Sequence, residues 1–426
     1  MMRDIRRQNR RPRVLHVVFV AVLTFLFLPS TASAIPAWAR RYDVPCSACH
    51  YPAPPRLNAY GHKFRRAQYR LSDEIDKEPE WQKLQNYLAA RIKGSYSYSS
   101  SENPPSGSST SEESTFALDE ASLWYAGPVT KHFTGFLELG RPGDSSEVEA
   151  VAWVGGVKGK ADSFATFRLG QIETLTGGSG WGGLDRSTGI SSPDALSMDL
   201  TTGAAGLSSG TEFALDQTQV GVEGTFVHKN WRVIGQVTNG PDTASRTADH
   251  VDDNKEKDGF LAYELMWGET ASGLTAFAYR GVQDDPAIIG PLDDRLVLER
   301  FGLTAAQVWK NGFEVQCGYV LARDSFSRQI PGVQEDISGS GYWVELEKYF
   351  SKASDLTILG RFDETDGNSD VSNDNRTKVT GGVVWPLGDW HARLAVELRH
   401  IRQESPDPLI RTLSSNEAVA ELTLSF

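Results

Sequence analysis

The sequence predicts an all-β protein, a 16-stranded antiparallel transmembrane β-barrel preceded by a small helical N-terminal segment. Two observations carry this prediction. After Leu88, short runs alternate apolar and polar residues with a period of two, and the polar face carries charges that a dry core would not accept. The connections between the runs alternate in length, as the two ends of such a barrel require. Composition removes the competing classes. Apolar residues make up 39% of the 426, the mean hydropathy is −0.36, and no run past Ala34 approaches the roughly 18 apolar residues of a spanning helix. Lys and Arg number 43 against 55 Asp and Glu, a net −12, which excludes a nucleic-acid binder that must neutralise phosphates. The three cysteines are too few for a disulfide scaffold.

Residues 1–34 read as a secretory signal peptide. Arginines up to Arg13, an apolar core from Val14 to Leu28, and Ala32-Ser33-Ala34 before Ile35 have the order of a cleaved leader. The competing reading is an uncleaved anchor, for which the apolar core is short. Export places the cysteines where thiols are oxidised or haem is attached. The charge is unevenly spread. Six arginines against Asp4 give the leader +5, seven bases against Asp43 give residues 35–70 a net +6, and the rest of the chain is left with −23.

Residues 35–80 form the chemistry-bearing segment. Cys46-Ser47-Ala48-Cys49-His50 is C-x-x-C-H, the signature of c-type haem attachment. Two thiols three residues apart can form thioethers to two vinyl groups on one porphyrin edge, and His50 then lies under the iron as proximal ligand. A Cys46–Cys49 disulfide and half of a zinc site are the alternatives. Zinc needs a second ligand pair, and Cys317 is distant and alone. For the sixth iron position, Met198 and Met266 are far from the motif, so a local methionine ligand is excluded. His62 is the other histidine of the segment. From Arg56 to Leu71, the residues Leu57, Tyr60, Gly61, Phe64, Ala67, Gln68 and Leu71 read as one apolar face of a helix, which puts His62 on the opposite face with Tyr69 and Arg66. His62 is therefore expected to be a solvated surface residue, with a distal ligand or an open, water-filled sixth position as alternatives. Pro52, Pro54 and Pro55 stiffen the link between motif and helix.

Residues 81–426 are expected to form the barrel, of the outer-membrane kind. Strands are expected near 88–98, 116–127, 132–140, 147–156, 163–172, 214–226, 230–238, 258–267, 273–281, 296–308, 312–322, 340–349, 355–363, 375–385, 389–400 and 417–426. In the run 391–400, Ala392, Leu394, Val396 and Leu398 face lipid while Arg393, Glu397 and Arg399 face inward; Leu356, Ile358, Gly360 and Phe362 oppose Thr357, Arg361 and Asp363 in the same way. Trp231, Val233, Gly235 and Val237 likewise oppose Arg232, Gln236 and Thr238, and Leu422, Leu424 and Phe426 oppose Glu421, Thr423 and Ser425. Connections after even strands are short, as at 227–229, 309–311 and 386–388, and those after odd strands are mostly long, as at 173–213 and 239–257. Short turns on the periplasmic side and long loops outside follow, with both chain ends periplasmic. A soluble sandwich or propeller would need a dry second face. Tyr96, Tyr98, Trp124, Tyr125, Trp267, Tyr342, Trp385 and Trp390 fall near strand ends, as an aromatic girdle would. Cys317 shares a lipid-facing side with Val315, Tyr319 and Leu321, and Asp249-His250-Val251-Asp252-Asp253 reads as a solvated loop.

Pro36-Ala37-Trp38-Ala39-Arg40, Cys46 to His50, and Leu57-Asn58-Ala59-Tyr60-Gly61 with Phe64 and Tyr69 resemble the fused monohaem cytochrome c-porins of the outer membrane, a family with iron-oxidising members. The close likeness covers about 35 residues; over the barrel it is one of architecture. The family commonly carries another basic residue where this chain has His62. The resemblance implies one covalent haem c, outer-membrane lipid around the barrel, and electron transfer between an extracellular donor, Fe(II) foremost, and a periplasmic c-type cytochrome or other carrier. It leaves open whether the chain is itself an Fe(II) oxidase. Two other functions compete: a diffusion porin with a separate periplasmic haem redox or sensor segment, and electron export to an external acceptor.

Overall fold

In a computed structural model of the chain, the described residues are 37–51, 55–80, 83–102, 110–142, 149–173, 189–198, 200, 215, 218–240, 256–284, 295–326, 336–351, 355–387, 390–404 and 412–425. The signal peptide, the loop Asp249–Asp253 and the terminal Phe426 lie outside them. Ile35–Phe426 form one compact unit.

Sixteen strands close into a single antiparallel barrel. They are β1 (Leu88–Glu102), β2 (Thr110–Pro128), β3 (Phe133–Pro142), β4 (Glu149–Lys160), β5 (Ser163–Glu173), β6 (Thr218–His228), β7 (Trp231–Thr238), β8 (Asp258–Trp267), β9 (Ser272–Asp284), β10 (Arg295–Val308), β11 (Phe313–Phe326), β12 (Asp336–Phe350), β13 (Leu356–Asp366), β14 (Asn375–Leu387), β15 (Ala392–Gln403) and β16 (Leu413–Ser425). Every strand expected from the alternation is present. Each neighbour in space is a neighbour in sequence, and the barrel closes where β1 pairs with β16, from Arg91 opposite Ser425 to Glu102 opposite Ser414. Closure removes the free edges that lipid could not solvate.

The two faces of the wall sort as the period-two pattern requires. On β13, Thr357, Arg361 and Asp363 are buried in the lumen while Ile358 and Phe362 are exposed outward. On β11, Tyr319 and Leu321 face outward, and Cys317 beside them is exposed. The aromatic girdle is only partly as expected. Tyr96, Trp267 and Tyr342 face outward, but Trp124 and Trp390 line the interior. Parity explains Trp124: its neighbour Leu123 points to lipid, so Trp124 must point in.

The lumen is occupied. Among the described residues, 37–51, 55–80 and 83–87 sit inside the end that carries the short turns, and 189–198 cross the lumen beside β13, β14 and β15. The N-terminal segment contains helices α1 (Ala37–Tyr42) and α2 (Ala59–Arg66). Arg56 pairs with Glu314 of β11, and Arg66 Nη2 lies 2.8 Å from Glu264 Oε2 of β8, all four side chains at or below 3% exposure. Arg70 donates to the carbonyls of Thr130, Lys131 and Phe133 in the β2–β3 turn at 2.6–2.9 Å. The middle stretch is fastened by Arg361, whose guanidinium donates to Ser191 O, Ser191 Oγ and Ser192 O. Glu397 accepts from the Ile190 N–H and the Ser191 hydroxyl, and Asp194 pairs with Lys378 and Arg376. Beyond these polar ties, Leu196, Leu200 and Leu215 pack on an apolar patch of the inner wall that includes Ile234, Phe260, Phe277, Leu298 and Trp343. The lumen is therefore not uniformly polar as expected; the inserted stretch brings apolar side chains that need apolar partners.

Candidate functional site

The C-x-x-C-H motif is folded as a compact turn. Cys46–Ala48 form one turn of 3-10 helix after Pro45, and the His50 N–H returns to Cys46 O at 3.0 Å. The turn is then clamped by α2. Asn58 caps that helix, its Oδ1 accepting from the N–H groups of Tyr60 and Gly61 at 3.0 Å each, and its Nδ2 reaches back to Ala48 O at 3.0 Å. Gly61 is the contact point. A Cβ there would lie 2.3 Å from Cys49 O, so any other residue would push the helix off the motif.

Helix α2 is shorter than the Arg56–Leu71 span expected. It begins only at the Asn58 cap, and it ends where Gln68 and Tyr69 adopt left-handed φ values of 56° and 60°. This turn is held from outside: Gln68 Nε2 donates to Phe167 O at 2.7 Å, and the Arg70 contacts fix the next residue. It swings Tyr69 back onto Trp38, the rings stacked 4.9 Å apart and 3° from parallel. Tyr69 in turn lies 6.2 Å from both Phe136 and Trp153 of the wall, which stack on each other at 5.5 Å. Arg91 lies over Trp124 at 4.3 Å and Arg168 over Trp153 at 5.4 Å.

Together these parts enclose a cavity of about 630 Å³ inside the barrel. It is lined by Cys46, Cys49, His50, Trp38, Phe64 and Tyr69 of the segment, by Trp124, Phe136 and Trp153 of the wall, and by Gly189–Pro193. Its size falls in the roughly 300–1,000 Å³ range of cofactor sites, and its aromatic lining is of the kind that buries a large planar group. Cys46 and Cys49 are half-buried thiols not joined in a disulfide, and burial pushes the Cys49 thiol up to about 11, so it is no reactive thiolate. His50 Nδ1 lies 2.8 Å from Arg56 O. A backbone carbonyl can only accept, so Nδ1 carries the proton and Nε2 is left as a basic lone pair, the state of an imidazole ready to bind a metal. Cys317 faces outward on β11, so the zinc reading finds no second thiolate at the motif. The donor set and the cavity both fit one haem held through Cys46 and Cys49.

His62 departs from expectation. It is 3% exposed rather than solvated, and it does not line the cavity. His62 and Arg66 share the face opposite the apolar one, while Tyr69, expected beside them, lies past the helix end and lines the cavity; the His62 face meets the polar inner wall instead of water, so the buried groups beside it are arginines. Burial first, and then Arg66, Arg56, Arg65 and Arg232, hold the imidazole well below its usual pKa and keep it neutral. Met266 is close to the segment in space, packed with Ala271 against Ala59, yet it also lies off the cavity. Sequence reasoning missed the wall aromatics Phe136 and Trp153 and the 189–193 stretch. The first two were open to a parity argument, since Leu137 and Val154 beside them are exposed outward.

Comparison with solved structures agrees with this architecture. The chain is similar to an anion-selective porin from Comamonas acidovorans, with TM-score 0.54, 10% identity, and 80% of this chain and 98% of that one covered. It is similar to the outer membrane channel DcaP of Acinetobacter baumannii, with TM-score 0.55, 11% identity and coverage of 80% and 96%. The chain has the fold of an outer-membrane porin. OmpT of Vibrio cholerae, an outer membrane protein, gives TM-score 0.52 at 11% identity, with coverage of 80% and 98%. At these identities the likeness is one of fold. No protein-family model matches the porin-fold chain, and no curated protein matches its sequence.

Proposed function

We propose that this protein is an outer-membrane monohaem cytochrome-porin that passes electrons between an extracellular donor, Fe(II) foremost, and a periplasmic c-type cytochrome or other carrier. The observation that carries this reading is the cavity: Cys46, Cys49 and His50 line it, the proton on His50 Nδ1 makes Nε2 the basic ring nitrogen, and aromatic side chains from both segment and wall surround it. Bound there, haem c supplies one-electron redox chemistry. Cys46 and Cys49 would anchor it covalently, His50 would bind its iron, and the aromatic and charged side chains of the cavity would tune its potential. The barrel supplies position. Its hydrocarbon belt is about 25 Å tall, too thick for a haem hanging below it to meet an outside donor, and the basic segment is drawn up into the lumen by Glu264 and Glu314. On this reading the short turns are periplasmic and the long loops extracellular.

A diffusion porin with a separate haem segment is the second reading, favoured by the barrel architecture. Against it stands the content of the lumen, where the segment and the 189–200 stretch both lie across the path. The test is reduction of the haem in intact cells by a donor that cannot cross the outer membrane, paired with single-channel conductance of the full chain and of a chain lacking residues 35–80. Reduction from outside with low conductance in the full chain supports the conduit. Free conductance of both chains with an oxidised haem favours the porin.

A further inference from the structure

His50 accounts for one side of an iron held in the cavity, and helical spacing raised His62 for the other. His62 does not line the cavity, and neither does Met198 or Met266. Among the described residues, two histidines do line it: His50 of the segment and His391 of the barrel.

His391 is placed by the wall. It lies in the short β14–β15 turn, immediately before Ala392, the first residue of β15, and its carbonyl accepts the Ser425 N–H at 2.8 Å. Trp390 before it takes a left-handed φ of 72° and lines the same cavity. Two residues on, Arg393 donates to Gly189 O at 2.8 Å and lies 3.7 Å from Glu421, so β16 and the inserted stretch both hold the start of β15. The His50 side is anchored at the same end of the barrel. Tyr51, the next residue, donates its hydroxyl to the carbonyls of Trp309 and Lys310 in the short β10–β11 turn at 3.2 and 3.0 Å. His391 Nδ1 is shut off from solvent, so Nε2 is the ring nitrogen that a group in the cavity can meet.

The other donors on the cavity wall are engaged elsewhere. Haem iron takes His, Cys, Met or Tyr from a protein, and Cys46 and Cys49 belong to the covalent attachment. The Tyr42 hydroxyl donates to Glu74 at 2.7 Å, and Tyr69 is stacked on Trp38. Tyr60 would have to bind as phenolate, and burial pushes its pKa up. Lys93 faces Glu120 and Glu421 at 3.6 and 4.0 Å. The carboxylates Glu138 and Glu345 face Arg91 and Arg361 at 3.9 and 3.2 Å. An imidazole binds a metal as the neutral base, so His391 would give up neither a proton held by burial nor an ion pair.

We propose that His391 is the second axial ligand of the haem attached through Cys46 and Cys49, so that one iron would join the N-terminal segment to the barrel wall. The proposal rests on the haem reading of the cavity.

The test uses the full-length holoprotein in detergent, read by optical, paramagnetic-resonance and near-infrared magnetic circular dichroism spectra. Oxidised wild type should be low-spin with the signature of two imidazole ligands. His391→Ala should keep its covalent haem on a denaturing gel and become high-spin, and added imidazole should return it to low spin. His391→Gln, closer to histidine in size and so less disturbing to the turn, should do the same. His391→Met should show an imidazole–thioether pair and a higher midpoint potential than wild type. His400→Ala, on the exposed face of β15, should match wild type. If wild type is high-spin, or pairs imidazole with an amine, a phenolate or a thioether, the proposal is overturned and the haem reading stands. The same holds if the Ala and Gln variants keep the wild-type low-spin spectrum. If wild type carries no haem, the haem reading falls and takes this ligand with it.

Discussion

Two halves of the same inner wall differ in what faces them. Along β8 to β13 the inward residues are sealed: Glu264, Glu314, Arg361 and Asp363 have side chains at or below 1% exposure, each in an ion pair. Along β1 to β3 the inward side chains Arg91, Lys93, Glu120 and Glu138 are 14–30% exposed and border the cavity region. Both halves read alike in sequence, as polar residues alternating with apolar ones. The first mainly fastens inserted chain, with Gln316, Trp343 and Glu345 also reaching the cavity, and the second mainly forms the wall of a site, with Arg70 tied to its β2–β3 turn. Alternation therefore fixes which side a residue faces, while its partner is decided by segments that arrive from elsewhere in the chain.

The sharpest way to break this comparison is to remove the site and keep the fastening. Cys46→Ala/Cys49→Ala should lose all covalent haem, seen as loss of haem stain on a denaturing gel, while the barrel still folds and migrates as wild type. Retained stain would remove the basis for assigning the cavity to haem.

The next effect comes from the sealed half. Glu264 faces both Arg66 at 2.8 Å and Arg232 at 2.6 Å. Glu264→Ala leaves two guanidinium groups buried without their carboxylate, at a cost of about 3–5 kcal/mol, and should release the segment to protease cleavage between residues 55 and 80. Arg91→Ala on the cavity side breaks a partly hydrated pair with Glu120 and should cost about 1 kcal/mol. Equal costs would mean that the two halves are equally sealed.

The strands were legible because the lipid side admits so little variation: Leu346, Leu398, Val379 and Phe301 had to point out. C-x-x-C-H names its chemistry without structural context; what the structure adds is the cavity beside it. His62 was not, since a helical wheel gives a direction but does not say whether water or an arginine-lined wall lies there. Nearness to strand ends suggests a girdle position for Trp124 and Trp390, yet both line the interior, and in-out parity is the stronger signal for Trp124. The 189–200 stretch was hidden because a long connection between β5 and β6 reads as an outer loop wherever it goes.

His62 supplies a smaller, pH-dependent probe of the sealed half. Seated, it is held neutral by burial and the surrounding arginines, with its pKa well below 6.5; released, it titrates near 6.5. The released state thus binds more protons below that value, so seating is unaffected above pH 6.5 and weakens as pH falls below it, by at most about 1.4 kcal/mol per pH unit. Protease release of the segment should rise between pH 6.5 and 5 in wild type, and rise less in His62→Gln. Identical pH curves would show that His62 meets water after all.

The smallest effect is expected outside the wall. Cys317 sits between Ala305 and Val344 in register, on the face that carries exposed Tyr319 and Leu321. Lipid chains adapt to a lost sulfur, so Cys317→Ala creates no fixed void, and its cost should stay within about 0.5 kcal/mol, as for a substitution that touches no special feature. Haem content should be unchanged. In membranes the thiol should react with a lipid-soluble maleimide and resist a charged one, whereas Cys317→Arg should cost about 2–4 kcal/mol if the position is near mid-belt. Loss of haem in Cys317→Ala would put this thiol at the motif, revive the zinc reading, and contradict the outward face of β11.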